Sequence, residues 1–290
     1  MMDETVQQSP ADWDLVIEPR SNIFRLHFKE VWRYKYLLWM FVKRDLVSVY
    51  KQTILGPIWF FIQPILTTIT YMVVFGGIAK ISTDGLPPML FYLAGITIWN
   101  YFAETLSATS STFVTNASIF GKVYFPRLVL PLSKVISGLI KFAIQFLLFA
   151  ITWIYFFVKG TAITPDIPGI LVITPVVLII MGGLGLGMGL ILSALTTKYR
   201  DLAFLISFGI QLGMYATPVI YPLSSITSKY KWLIVANPMS PLIEAFRKVY
   251  LGAGELRVSA LLYSSFSMVV ILLIGVIIFN RVEKTFMDTV

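Results

Sequence analysis

The sequence predicts an all-α integral membrane protein with six transmembrane helices per subunit, and three observations carry that reading. Hydrophobic residues fill 57% of its 290 positions and charged residues only 13%, about half the roughly 25% share of a soluble domain. No Asp, Glu, Lys or Arg interrupts the windows between Lys51 and Lys80, Asp166 and Lys198, Asp201 and Lys229, or Arg257 and Arg281, and a helix needs about 20 apolar residues to cross hydrocarbon. The windows also lack the alternation of a barrel strand, and an open sheet would leave backbone groups unpaired in lipid.

Taken in order, residues 1–21 are acidic and polar, with Pro10 and Pro19, and read as a cytosolic tail with little structure of its own. This stretch has neither a basic leader nor an apolar core, so it does not read as a cleavable signal peptide. Residues 22–53 form an amphipathic interface helix, because Arg25, Lys29 and Arg33 recur at helical spacing among Trp32, Tyr34, Tyr36, Trp39 and Phe41. Residues 54–285 form the transmembrane domain, with spans at 54–79, 86–107, 129–158, 170–196, 202–222 and 260–279.

The third span carries Lys134 and Lys141. Lys134 can snorkel from a helix end, whereas Lys141 must snorkel from greater depth or face a hydrated interior. With the N-terminus inside, eight basic residues lie in the N-terminal segment and two each in loop two, loop four and the tail, against seven outside. That balance places both termini in the cytosol. Five of the outside residues fall within 223–259, where Asn237-Pro238 and Pro241 break two amphipathic stretches, read as short re-entrant helices before the last span.

The formal net charge of +8 belongs to the ends of apolar segments, where it meets anionic head groups, so it does not point to nucleic acid. Cysteine is absent, His27 is the sole histidine, and neither a metal cluster nor a nucleophile elbow occurs, which leaves no catalytic constellation. No phosphate-binding loop is present either, so any ATP hydrolysis that drives the chain belongs to another protein. The glycine run from Gly182 to Gly189 lies inside an apolar window, and its Gly183/Gly187 and Gly185/Gly189 spacings suit close helix contact.

Polar residues recur on apolar helices: Gln63, Thr67 and Thr70 with Trp59 and Tyr71, then Thr97, Asn100, Tyr101 and Glu104, then Ser207, Gln211 and Tyr215. Such groups need partners or water, so they form interhelical hydrogen bonds or line a hydrated path. The aromatic surface beside them favours a path that sugars traverse, and Trp59, Gln63, Thr67, Tyr71, Trp99, Asn100, Tyr101, Gln211 and Tyr215 are the candidate residues. Between spans two and three, Asn116–Arg127 is a short amphipathic piece whose Ile119, Phe120, Val123 and Tyr124 are expected to be exposed, and it either rests on lipid head groups or, in the sharper reading, docks on a soluble motor.

Several segments resemble the ABC-2 type permeases that export O-antigen, capsule and teichoic acid polysaccharides. They are YKQTILGPIW followed by Gln63-Pro64, KVYFPRLVLPLS at 122–133, KYRDL at 198–202, TPVIYP at 217–222 and NPMSPLIEAFRKVYLG at 237–252. The resemblance implies a homodimer in the cytoplasmic (inner) membrane, worked by two nucleotide-binding ATPase subunits that hold the ATP and magnesium. This chain would itself carry no cofactor and would be no enzyme. By the same resemblance, Lys43, Arg44, Ile119, Phe120, Lys122 and Tyr124 would contact the ATPase. Trp232, Asn237, Glu244 and Arg247 would belong to the outer gate, and the cargo would be a lipid-linked polysaccharide. An exporter of a drug or simple lipid shares the pattern, and a membrane enzyme acting on lipid-linked sugars is the reading from a different class.

Overall fold

The protein, seen in a computed structural model, is described for residues 32–51, 56–120, 125–161, 165–199 and 201–286. Residues 1–31, which include the acidic tail and the start of the interface helix, lie outside the described residues, as do Lys122, Val123 and Tyr124. Among the described residues no strand occurs.

The helices begin and end where local chemistry predicts. Helix α1 (Lys35–Tyr50) exposes Tyr36, Trp39 and Met40 and buries Phe41 and Val42. Helix α2 (Trp59–Tyr71) continues into a wider π turn over Met72–Ile78. Helix α3 (Pro88–Ser110) starts at a proline, whose missing N–H is harmless in a first turn. Two one-turn helices follow, α4 (Thr112–Thr115) and α5 (Ala117–Phe120). Helix α6 (Val129–Val158) ends at Gly160, with φ +70°. Helix α7 (Ile167–Lys198) is capped by Asp166, whose carboxylate accepts from the Gly169 N–H. Helices α8 (Leu202–Tyr215), α9 (Ser228–Ala236), α10 (Ser240–Leu251, closed by left-handed Gly252) and α11 (Val258–Phe286) follow.

Among the described residues four helical stretches, Trp59–Ile78, Val129–Val158, Ile167–Lys198 and Val258–Val282, are long and apolar enough to cross a membrane. Helices α3 and α8 stand where spans two and five were expected. α3 has 23 residues but breaks its apolar run with Asn100 and Glu104. Expected to reach residue 222, α8 stops at Tyr215 after 14 residues, about 21 Å against about 30 Å of hydrocarbon. Residues 216–222 turn instead, and Thr217 helps to close that end by donating its hydroxyl to Gly213 O.

Helix α3 is the centre of the bundle. Residues Leu90 to Trp99 are all buried, and α2, α6, α7, α8 and α10 pack around it. Helix α7 is clasped between α3 and α11, and the glycine run makes this possible on both sides. A Cβ on Gly189 would lie 2.5 Å from Thr109 Cβ on α3, and one on Gly187 would lie 2.8 Å from Leu272 Cα on α11. A Cβ on Gly275 would lie 2.5 Å from the Gly187 carbonyl oxygen, a backbone contact that no side-chain rotation relieves. Gly275→Ala is therefore expected to lower the thermal unfolding midpoint in detergent through an overpacking cost of about 1–3 kcal/mol. Gly77→Ala, whose Cβ would meet its nearest neighbour at 3.7 Å, should leave the midpoint unchanged.

A second core closes the α4–α5 end. Phe41, Phe113, Phe120, Phe125, Val129, Leu190 and Phe279 gather there from α1, α4, α5, the segment before α6, and α6, α7 and α11. Phe113 stacks on Phe279 with centroids 4.6 Å apart, and Phe120 on Phe125 at 5.8 Å. Lys134 Nζ donates to Asp45 Oδ2 at 2.7 Å, tying α1 to α6 beside this cluster.

Candidate translocation path

Helices α3 and α6 run antiparallel and share a ladder of polar side chains. Asn100 Nδ2 donates to Gln145 Oε1 at 3.2 Å, and one turn along Lys141 Nζ donates to Glu104 Oε1. Each helix supplies its pair at i and i+4, so both rungs fall on one face. Lys141 lies 12 residues into α6, about 18 Å along its axis, too deep for a lysine stem to reach either helix end. Its side chain is 19% exposed and that of Glu104 43%. Helix α2 packs against both α3 and α6, and the Phe60 ring centroid lies 6.0 Å from Lys141 Nζ.

The sequence brought Asn100 to notice but not its partner Gln145. Lys141 and Glu104 drew attention one at a time and not as a pair. The missed signal was the matched spacing: Asn100 and Glu104 four apart on one helix, Lys141 and Gln145 four apart on the next.

The other expected path residues divide among different faces. Trp59 and Gln63 are exposed on α2, and Thr67 is half-buried with its hydroxyl donating to Gln63 O. Tyr71 is held at the far end of α2, its hydroxyl 3.3 Å from Met214 Sδ and its ring edge-on to Phe75 and Tyr92. Gln211 and Tyr215 are exposed on α8. Trp99 and Tyr101 correct the expectation that span two presents one polar face. Both are 4% exposed: Tyr101 packs on Phe142 of α6 and over Gly182 of α7, and Trp99 turns towards Gly213 of α8. Thr97 is likewise buried and donates to Leu93 O on its own helix. At 100° per residue Trp99 falls opposite the face shared by 97, 100, 101 and 104, and within that face the packing keeps only Asn100 and Glu104 on the ladder.

At the α4–α5 end the expected motor contacts also divide. Lys43 is exposed on α1, whereas Arg44 is half-buried, with Nη2 2.9 Å from Asp45 Oδ1. Phe120, expected in solvent, is 3% exposed inside the aromatic cluster, and Ile119 is half-buried against it. The physical reason is local: the α4–α5 hairpin folds back on its own bundle and satisfies its aromatic ring there. Val114, Thr115 and Ser118 are what the hairpin leaves exposed.

The segment between α8 and α11 forms two short helices, α9 and α10. Trp232 of α9 is 69% exposed, while α10 is almost wholly buried. Asn237 between them donates to Ala216 O and to Thr217 Oγ1 at 2.9 Å, and accepts from the Met239 N–H. Arg247 is 1% exposed. Its guanidinium stacks 3.8 Å from the Phe91 ring centroid and donates to the carbonyls of Pro218 and Val219, with Glu244 3.6 Å away. Burial raises the Glu244 carboxyl above its ordinary range against the opposing charge of Arg247. Burial also lowers Arg247 to about 10, which leaves it cationic at neutral pH. Gly95 admits the guanidinium, because a Cβ there would sit 2.7 Å from Nη2.

Among the described residues no three His, Cys, Asp or Glu side chains come together as a metal site. The arrangement is a bundle of apolar helices that keeps an ion pair and two amides on a half-open face, a placement that lipid does not favour and that a hydrated or protein-covered face accommodates. Residues 36–251 match the ABC-2 type transporter family, and the chain belongs to it. It is similar to two O-antigen export system permease proteins RfbA of Klebsiella pneumoniae. One is 28% identical over 252 residues, the other 29% over 255, and each match covers 87% of this chain and 94% of the relative. A Myxococcus xanthus protein of the same name is 29% identical over 224 residues, covering 77% of this chain and 83% of the relative.

Proposed function

We propose that this chain is the permease subunit of an ATP-driven exporter that moves a lipid-linked polysaccharide out of the cytosol across the cytoplasmic membrane. The observation that carries the proposal is the Glu104–Lys141 pair with its Asn100–Gln145 neighbour: a carboxylate almost half exposed on an apolar helix is untenable against lipid and suits a hydrated wall. The names of the RfbA relatives supply the cargo class, and near full-length similarity supports carrying it over.

In this reading α3 and α8 complete a six-span bundle, the termini face the cytosol, and two copies enclose the path. The exposed apolar rows of α2 and its π turn (Trp59, Leu66, Ile69, Val73) and of α8 (Phe204, Phe208, Leu212) are the surfaces available for pairing. An ATPase subunit, holding ATP and magnesium, docks at the α4–α5 hairpin through Val114, Thr115 and Ser118, with Lys43 beside them. Phe120 anchors the hairpin from within, so movement of the hairpin is passed to α6 and α11 through the stacked rings. A ligand biases such a two-state bundle only through contacts that differ between the states, which makes the hairpin the point where hydrolysis is read. The α9–α10 segment closes the outer end.

Tagged protein purified from native membranes should bring down a second copy, a nucleotide-binding chain and a glycolipid. Export that continues in cells lacking any partner ATPase would overturn the proposal, and a deletion strain with intact surface polysaccharide but drug sensitivity would replace the cargo.

A further inference from the structure

Within the six expected spans the sequence holds three charged side chains, Glu104, Lys134 and Lys141. Lys134 stands near the start of α6 and is taken by Asp45 of α1. The α3–α6 face therefore carries one carboxylate and one ammonium, and the two are paired. Their exposure is unequal, 43% for the Glu104 side chain against 19% for that of Lys141, whose ammonium also stands 6.0 Å from the Phe60 ring centroid. The carboxylate is the partner that faces the open side. The neighbouring rung, Asn100 with Gln145, is uncharged.

Hydrogen bonding to sugars does not require the lysine, since the two amides and the carboxylate already offer donors and acceptors. What the lysine adds is charge balance. A carboxylate on a hydrated wall draws cations, which is how acidic side chains make a pore cation-selective, and a lone ammonium draws anions. At about 4 Å in bulk water the attraction enriches a monovalent ion roughly fivefold, and more where solvent is restricted. The second copy proposed above brings a second carboxylate to the same conduit, so the effect grows with dimerisation. Paired, the two groups keep the wall polar while cancelling its field at a distance. Given that the α3–α6 face lines the path as proposed, we infer that Glu104 and Lys141 are its ion-selectivity residues: they cancel each other's charge, so a hydroxyl-rich polymer passes a wall that concentrates neither cations nor anions.

The chain has no cysteine, which allows charge to be added after folding. The double variant Glu104→Cys/Lys141→Gln holds no unpaired charge on this face, and its introduced thiol takes the more exposed position. It is purified from native membranes with its nucleotide-binding chain, reconstituted in vesicles with ATP and magnesium, and treated with water-soluble methanethiosulfonates that carry a sulfonate, a trimethylammonium or no charge. Unmodified, it should hold potassium and chloride gradients as wild type does. The sulfonate should speed loss of the potassium gradient about fivefold and leave chloride almost unchanged, the trimethylammonium should do the reverse, and the uncharged reagent neither. A folded Lys141→Gln variant should match the sulfonate adduct. Modification without a leak whose ion follows the sign of the added charge would overturn the inference. So would a double variant that leaks both ions before treatment, which marks a structural seal. A thiol that never reacts would instead remove this face from the path, overturning the proposed reading of the ladder and the inference with it.

Discussion

Arg247→Ala is expected to remove most of the folded protein from the membrane. The side chain is 1% exposed and ties three parts of the chain together: α10, from which it projects, α3, on whose Phe91 ring it stacks, and the turn at 216–220, whose Pro218 and Val219 carbonyls it receives. Alanine leaves those carbonyls buried without a donor, at about 1–3 kcal/mol each. It also leaves Glu244, 4% exposed, facing an empty space where its counter-charge stood, and breaking a buried pair from one side costs about 3–5 kcal/mol. Together these losses approach the 5–15 kcal/mol, roughly, that stabilises an ordinary domain. Arg247→Lys should recover little, because one ammonium cannot both stack flat on Phe91 and reach two neighbouring carbonyls. The measurements are abundance in isolated membranes and the unfolding midpoint of whatever is extracted. A midpoint within a degree or two of wild type for the alanine variant would show that the turn at 216–220 is held by other means.

Sequence alone made the bundle readable wherever a helix is uniformly apolar. The expected span 129–158 coincides with α6, and 170–196 lies within α7, because Pro126, Gly160 and Asp166 punctuate the chain with unambiguous turn and cap chemistry. The glycine contacts of α7 were legible for the same reason: a four-residue spacing of glycines has one geometric use in a packed helix. What was not legible is which neighbour each face meets. Tyr101 and Asn100 are adjacent in sequence and equally polar at the tip, yet one is buried between α6 and α7 and the other sits on the ladder. Phe120 looked like an exposed docking residue because its partners, Phe113, Phe125 and Phe279, come from other segments, one of them far along the chain. Arg247 counted as an outside charge in the orientation argument, though it is a structural cation with no access to either surface.

The Glu104–Lys141 pair yields the second large effect, and a paired design separates its two possible meanings. Lys141→Ala leaves Glu104 without its cation on the α3–α6 face, and Glu104→Ala strands Lys141 in the same way. Each single change should reduce surface polysaccharide by about tenfold or more in a strain lacking the chromosomal copy, part of it through lost protein, since one charge is left without its partner. Replacing both residues by Leu removes that penalty, because neither position then holds an unpaired charge. The double variant should therefore reach wild-type abundance and melting. Its export should nevertheless stay low, because two leucines dry the wall that Asn100 and Gln145 alone would have to keep wet. If the pair served only to join α3 to α6, export would return together with stability. Recovery of both in the Leu/Leu variant would thus move the path to another face of the bundle, with the exposed Gln211 and Tyr215 of α8 the next residues to replace.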